Sequence, residues 1–249
     1  MATYWQVIFF SLIGGVFSLI GGLLILSKKQ FAQKLAVYAT PFAAGALLAA
    51  VFFDLLVEGI EEADAATVLY AALAGIVLFF FAERFLRWFH HHHEHKDTQL
   101  DPAVGLIVVG DTLHNALDGV AIAAAFLISV PTGIVTTVAV AAHEIPHEIG
   151  DFGLLLSKGM RRGKVLLVNI ISALATTVAA VITFAIGSAD KLPLGTLLGL
   201  VSGFLLYIAM SDLIPTIHDT TPARKLLAWR PLILLFGLAV VWTVVSLAE

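Results

Sequence analysis

Two stretches concentrate side chains that can bind a metal or carry a proton: Asp111–Gly119, DTLHNALDG, and Ala141–Asp151, AAHEIPHEIGD. In the second, His143 and His147 are four apart, as are Glu144 and Glu148, and Asp151 follows His147 by four. In the first, His114 and Asp118 are four apart and share a helix face, with Asn115 one step round. Both stretches lie inside long apolar runs, the second inside Thr132–Leu156. A charged side chain at the centre of a bilayer helix costs about 2.5–3.5 kcal/mol on insertion scales. These helices must therefore be sheathed by others and hold something that offsets their polarity. The spacing points to a metal ion. With the two helices side by side, His114, Asp118, His143 and His147 can converge on one ion. Three imidazoles and a carboxylate suit tetrahedral Zn²⁺, and less selectively Fe²⁺, Mn²⁺ or Cd²⁺. Asn115, Asp118 and Glu144 can form a neighbouring oxygen-rich site that shares Asp118.

The elements that must position these residues follow from composition. The chain has 249 residues, 59% hydrophobic and 13% charged, and a mean hydropathy of +0.97. A soluble domain sits nearer half apolar and a quarter charged. The chain is predicted to be an all-α integral membrane protein. It has no cysteine, which excludes disulfides and thiolate metal sites. A span needs about 20 apolar residues, and eight segments qualify: Trp5–Leu26, Ala36–Val57, Ala65–Phe89, Ala103–Val130, Thr132–Leu156, Val165–Gly187, Leu192–Ile217 and Pro231–Ala248. The first lacks a basic leader region and a small-residue cleavage site, so it reads as a helix rather than a signal peptide.

Loop charge gives orientation. Every Lys and Arg except Lys191 falls in the joints after spans one, three, five and seven, while the joint after span two is acidic (Glu58, Glu61, Glu62, Asp64). The positive-inside rule makes the basic side cytoplasmic, with both termini outside. The expected location is the cell membrane, as a multi-pass protein. Nucleic acid is not among its expected partners.

Other residues carry weaker signals. Gly14, Gly15, Gly21 and Gly22 on the first span read as close helix packing. Asp54 on the second span, Glu148 and Asp151 on the fifth and Asp212 on the seventh are candidate pathway residues. The acidic rim near Asp54 reads as solvated, though negative charge also concentrates cations at a mouth. His90–His95 reads HHHHEH within a loop of about residues 90–101; such tracts bind metal loosely, and it reads equally as a solvated linker. Asn169, Ser172, Thr176 and Thr177 on the sixth span read as interhelical hydrogen bonders. Pro146 lacks the N–H that would bond the carbonyl of Ala142.

HNALDG followed by HEIPHEIGD resembles the Zrt/Irt-like (ZIP) divalent-metal transporter family, in the branch with HNxxDG in the fourth span and HExPHExGD in the fifth. The eight spans, outward termini and His-containing loop after span three match as well, so the likeness covers residues 1–249 as one domain. The resemblance implies that central helices 4 and 5 are flanked by two three-helix groups related as inverted repeats, often in a homodimer. It implies a primary site at His114, Asp118, His143 and His147, and a secondary site at Asn115, Asp118 and Glu144. It implies transport of Zn²⁺ into the cytoplasm by alternating access. The chain departs from some bacterial relatives, which carry a methionine ligand on the second span; Gly45–Ala50 here is wholly apolar. Those relatives have a carboxylate where His147 stands, and others have a histidine where Asp54 stands. Asn169 is the counterpart offered for a sixth-span ligand.

HEIPH also fits H-E-x-x-H, the zinc-binding helix of a metalloprotease, so an intramembrane protease is the enzyme alternative. An LDG sequence would then be expected after HExxH; Leu117-Asp118-Gly119 comes before it. His114 would also fill the position that a catalytic zinc leaves to water. The sequence therefore predicts a transporter, with Zn²⁺ as cargo and no catalytic cofactor.

Overall fold

The structure is a computed structural model that describes residues 2–16, 19–27, 29–92, 103–187, 192–220 and 229–248. The His90–His95 tract lies outside it, apart from the backbone of His90–His92. Among the described residues there are eleven α-helices and no strand. The first span comprises α1 (Tyr4–Val16) and α2 (Leu19–Ser27). The second comprises α3 (Lys29–Ala50), a π-helical turn Val51–Leu55 and α4 (Leu56–Glu62). Spans three to six are α5 (Ala65–His92), α6 (Ala103–Ile128), α7 (Val130–Ser157) and α8 (Arg162–Gly187). The seventh is α9 (Leu194–Ile208), a π-helical turn Ala209–Leu213 and α10 (Ile214–Thr220), and the eighth is α11 (Trp229–Ala248).

Seven of these spans are long and apolar enough to cross a membrane by length and composition. The exception is α7, long enough at 28 residues but diluted by the imidazoles and carboxylates of Ala141–Asp151. Its ends are fixed locally. The Ser129 hydroxyl accepts from the Thr132 N–H at 3.1 Å, with Pro131 in the first turn. At the other end Met160 N–H donates to Leu155 O and Gly159 N–H to Leu156 O, both at 3.1 Å. That is a Schellman stop, and Gly159 takes the left-handed conformation it requires, φ +85°. His143 and Glu144 therefore sit halfway along a helix with defined limits, which runs through Pro146 unbroken.

Around α6 and α7 the other spans pair closely: α6 with α8, α5 with α9, and α3 with α11. Small residues allow this. A Cβ on Gly119 would collide with the Thr176 carbonyl of α8, so glycine after Asp118 lets α6 lie directly on α8. Gly15 and Gly21 make the same kind of approach to the Ala173 and Ile145 carbonyls of α8 and α7, and Gly14 and Gly22 leave room for the Ile122 and Phe152 side chains. Two apolar clusters pack around α6 and α7. One is built on Ala121, Ala124, Ala125, Val135 and Ala139 with α3, α9 and α11; the other on Val7, Ile122, Phe126, Val140 and Phe184.

On the acidic margin, Asp64 caps α5. Its Oδ1 accepts from the Thr67 N–H at 3.0 Å and its Oδ2 from the Thr67 hydroxyl. These bonds hold the carboxyl below the ordinary aspartate range.

Candidate metal centre

The midpoints of α6 and α7 bring His114, Asp118, His143 and Glu144 together, all buried. His114 Nε2 lies 3.2 Å from His143 Nε2 and 3.2 Å from Glu144 Oε1. Asp118 Oδ2 lies 3.4 Å from His143 Nε2 and 3.9 Å from His114 Nε2, and His143 Nε2 is 3.6 Å from Glu144 Oε1. Zinc bonds of about 2.0–2.1 Å place tetrahedral ligand atoms about 3.4 Å apart. The observed edges straddle that length. Neither oxygen of Asp118 or Glu144 accepts a hydrogen bond from the described residues. Two buried carboxylates that face only imidazole nitrogens are strongly unfavourable unless a cation, or protonation of the imidazoles, compensates them. His143 Nδ1 lies 3.3 Å from the Ala139 carbonyl, a contact that leaves Nε2 as the ligating nitrogen.

The grouping differs from the expected one at two residues. Glu144 stands in the four-residue group where His147 was expected. His147 lies flat against His114, ring centroids 4.5 Å apart and planes inclined by 8°. Its Nδ1 faces Asp151 Oδ2 at 3.7 Å and Asp111 Oδ1 at 4.0 Å. Asn115 turns toward α8. Its Nδ2 donates to Asp111 Oδ1 at 3.0 Å and Ser172 Oγ at 3.4 Å, and its Oδ1 accepts from Thr176 Oγ1 at 2.9 Å. Ser172 and Thr176 are thus the interhelical hydrogen bonders expected of the sixth span. Asn169 donates instead within its own helix, to Val165 O at 2.7 Å.

A cavity of about 620 Å³ reaches this centre from one end. Phe79, Glu83, Asp111, His114, His147 and Asp212 are among its lining residues. That end carries Lys158, Arg161, Arg162 and Lys164. The opposite approach is closed by the packed residues Ala121–Phe126. Among the pathway candidates, Asp151 and Asp212 line the cavity. Glu148 is fully buried beside it, with no hydrogen bond from the described residues to either oxygen. Asp54 is buried in the first π turn, in neither ligand group.

Comparison with known proteins gives the family of the chain. Residues 90–244 match the sequence profile of a family described as ZIP Zinc transporter. The chain belongs to the ZIP family. It is 37% identical over 133 residues to Zinc transporter ZIP10 of Danio rerio, covering 53% of this chain and 16% of that protein. Zinc transporter ZIP4 of Mus musculus is 37% identical over 142 residues, 57% of this chain and 21% of the relative. Zinc transporter ZIP10 of Homo sapiens is 33% identical over 170 residues, 64% and 20%. The aligned region spans about a fifth of these relatives' length. The ZIP family is one of transporters, so HEIPH does not mark an enzyme here.

Proposed function

We propose that the chain carries divalent metal, zinc foremost, across the membrane into the cytoplasm. The four-residue group His114, Asp118, His143 and Glu144 is the transport site. The observation that carries this reading is the set of 3.2–3.9 Å edges joining two imidazoles and two buried carboxylates. Two imidazoles and two carboxylates favour Zn²⁺ and admit Fe²⁺, Mn²⁺ and Cd²⁺. The cavity at the basic end, with packing at the other, corresponds to a state open to the cytoplasm, both termini lying outside. Alternating access requires a second state in which Ala121–Phe126 part from their neighbours and the cavity closes.

Span pairing supports the inverted-repeat layout. Span two packs on span eight and span seven on span three, the exchange expected when spans one to three map onto six to eight. The two π turns fall in spans two and seven, each with aspartate as its fourth residue, Asp54 and Asp212. The homodimer belongs to the same reading.

Zn²⁺ uptake into proteoliposomes tests the function. The wild-type chain takes up metal, and His143→Ala, which removes a ligand, abolishes uptake. Unchanged uptake by His143→Ala rejects the site; no uptake by the wild type rejects the activity.

A further inference from the structure

We infer that Phe79 of α5 and Phe204 of α9 are positioning residues of the transport site: their rings hold the His114 imidazole at the angle that turns Nε2 onto the ion. The inference rests on the reading of His114, Asp118, His143 and Glu144 as that site. An imidazole that binds metal through one nitrogen is ordinarily oriented by an acceptor on the other. His143 has such an anchor, because its Nδ1 lies 3.3 Å from the Ala139 carbonyl. The polar contacts of His114, to His143, Glu144 and Asp118, all run through Nε2. Among the described residues no acceptor meets its Nδ1, so no protein hydrogen bond fixes the rotation of this ring.

Aromatic rings take the place of that acceptor. The His114 centroid lies 5.7 Å from that of Phe204 and 6.2 Å from that of Phe79, both at an interplanar angle of 67°. Edge-to-face contacts at about 4.5–7 Å are a favoured geometry of aromatic pairs, and they set tilt as well as distance. With His147 stacked on the same imidazole, rings from α5, α7 and α9 oppose its rotation. The two phenylalanines are themselves held. They meet each other edge to face at 4.7 Å, and Phe79 meets Tyr207 in the same way at 5.2 Å. The Tyr207 hydroxyl donates to Glu83 Oε2, one turn along α5 from Phe79. Phe204 is buried and Phe79 lines the cavity. Because α5 and α9 pack closely on each other, the pair forms a wall against which α6 presents its ligand. The wall offers no donor atom that would compete with Nε2 for the ion.

The test is the Zn²⁺ affinity of the whole chain in nanodiscs, by competition with a calibrated chelator, in a double-mutant cycle. Phe79→Leu/Phe204→Leu keeps apolar bulk and removes both rings. It is expected to lower affinity about 10- to 100-fold, the loss typical of removing an outer orienting partner. In a His114→Ala chain the same two leucines should change affinity by less than about twofold, because no imidazole remains to orient. Phe79→Tyr, which keeps the ring, should retain wild-type affinity. Phe79→Leu alone, at the cavity wall, is read in the same cycle if the double substitution fails to fold. A role in packing alone lowers the melting temperature and moves affinity equally in both backgrounds. That equal loss, or wild-type affinity in the leucine variants, overturns the inference and leaves the site standing. An affinity that His114→Ala does not change sinks the site itself, and the inference with it.

Discussion

His114 and His147 lie face to face, with ring centroids 4.5 Å apart and an 8° tilt, yet their facing nitrogens serve different carboxylates. The stacked pair therefore lies where the cavity meets the four-residue group, and both rings line the cavity. Removing His147 should leave the first group's ligand set intact. His147→Ala is expected to lower its Zn²⁺ affinity by no more than the about 10- to 100-fold typical of an outer partner. His143→Ala should lower it further. Competition with a calibrated chelator measures both. Equal losses would place His147 in the first group.

Asp118 and Glu144 bear buried oxygens whose nearest polar neighbours are the His143 and His114 imidazoles. Without metal they destabilise the bundle; with metal they hold it. In chelator, Asp118→Asn/Glu144→Gln is expected to melt above the wild type. With Zn²⁺ at about 100 times the dissociation constant, binding adds about 2.7 kcal/mol to the wild type, and the order reverses. Thermal melts in detergent with and without Zn²⁺ report it.

Asn115 acts through Asp111 and α8. Asn115→Ala removes the amide that bridges Asp111 to Ser172 and Thr176 and should cost about 1–3 kcal/mol, the range for leaving buried polar partners unsatisfied. Thermal melts should show the loss.

Gly119 allows α6 to rest on the Thr176 carbonyl. Gly119→Ala forces the helices apart and should cost about 1–3 kcal/mol, the usual range for overpacking. The melting temperature falls, and Zn²⁺ uptake falls with it because Asp118 is the preceding residue.

Asp64 gives a pH signature outside the spans. Its folded carboxyl titrates below the ordinary range because Thr67 donates to it. The stability it contributes is complete above the unfolded value of about 3.9 and is lost as pH falls through the lower folded value. Asp64→Ala should therefore melt below the wild type at neutral pH. The gap should close in strong acid.

The sequence made the spans readable because each apolar run is long and each joint polar. It made the α6 half of the site readable because His114 and Asp118 fall one helical turn apart and do share an ion-sized space. It did not reveal the rotation of Asn115, which lies about 100° round the helix from His114; Ser172 and Thr176, distant in sequence, settle where its amide turns. Nor did the sequence reveal the stacking of His147 on His114, because Glu144 and His147 both project near the His143 face and the packing of α6 decides how each side chain lies. The π turns were invisible, because VFFDL and AMSDL read as ordinary apolar helix.

Those turns have a consequence for the lineage of the chain. A π turn reaches back five residues rather than four, so it houses one residue more than the α-helix on either side needs. The flanking faces keep their register while the surplus is absorbed in a local swelling. Loss of one residue at Val51–Leu55 or Ala209–Leu213 would leave the span straight and regular. It would also remove the swelling that carries Asp54 or Asp212.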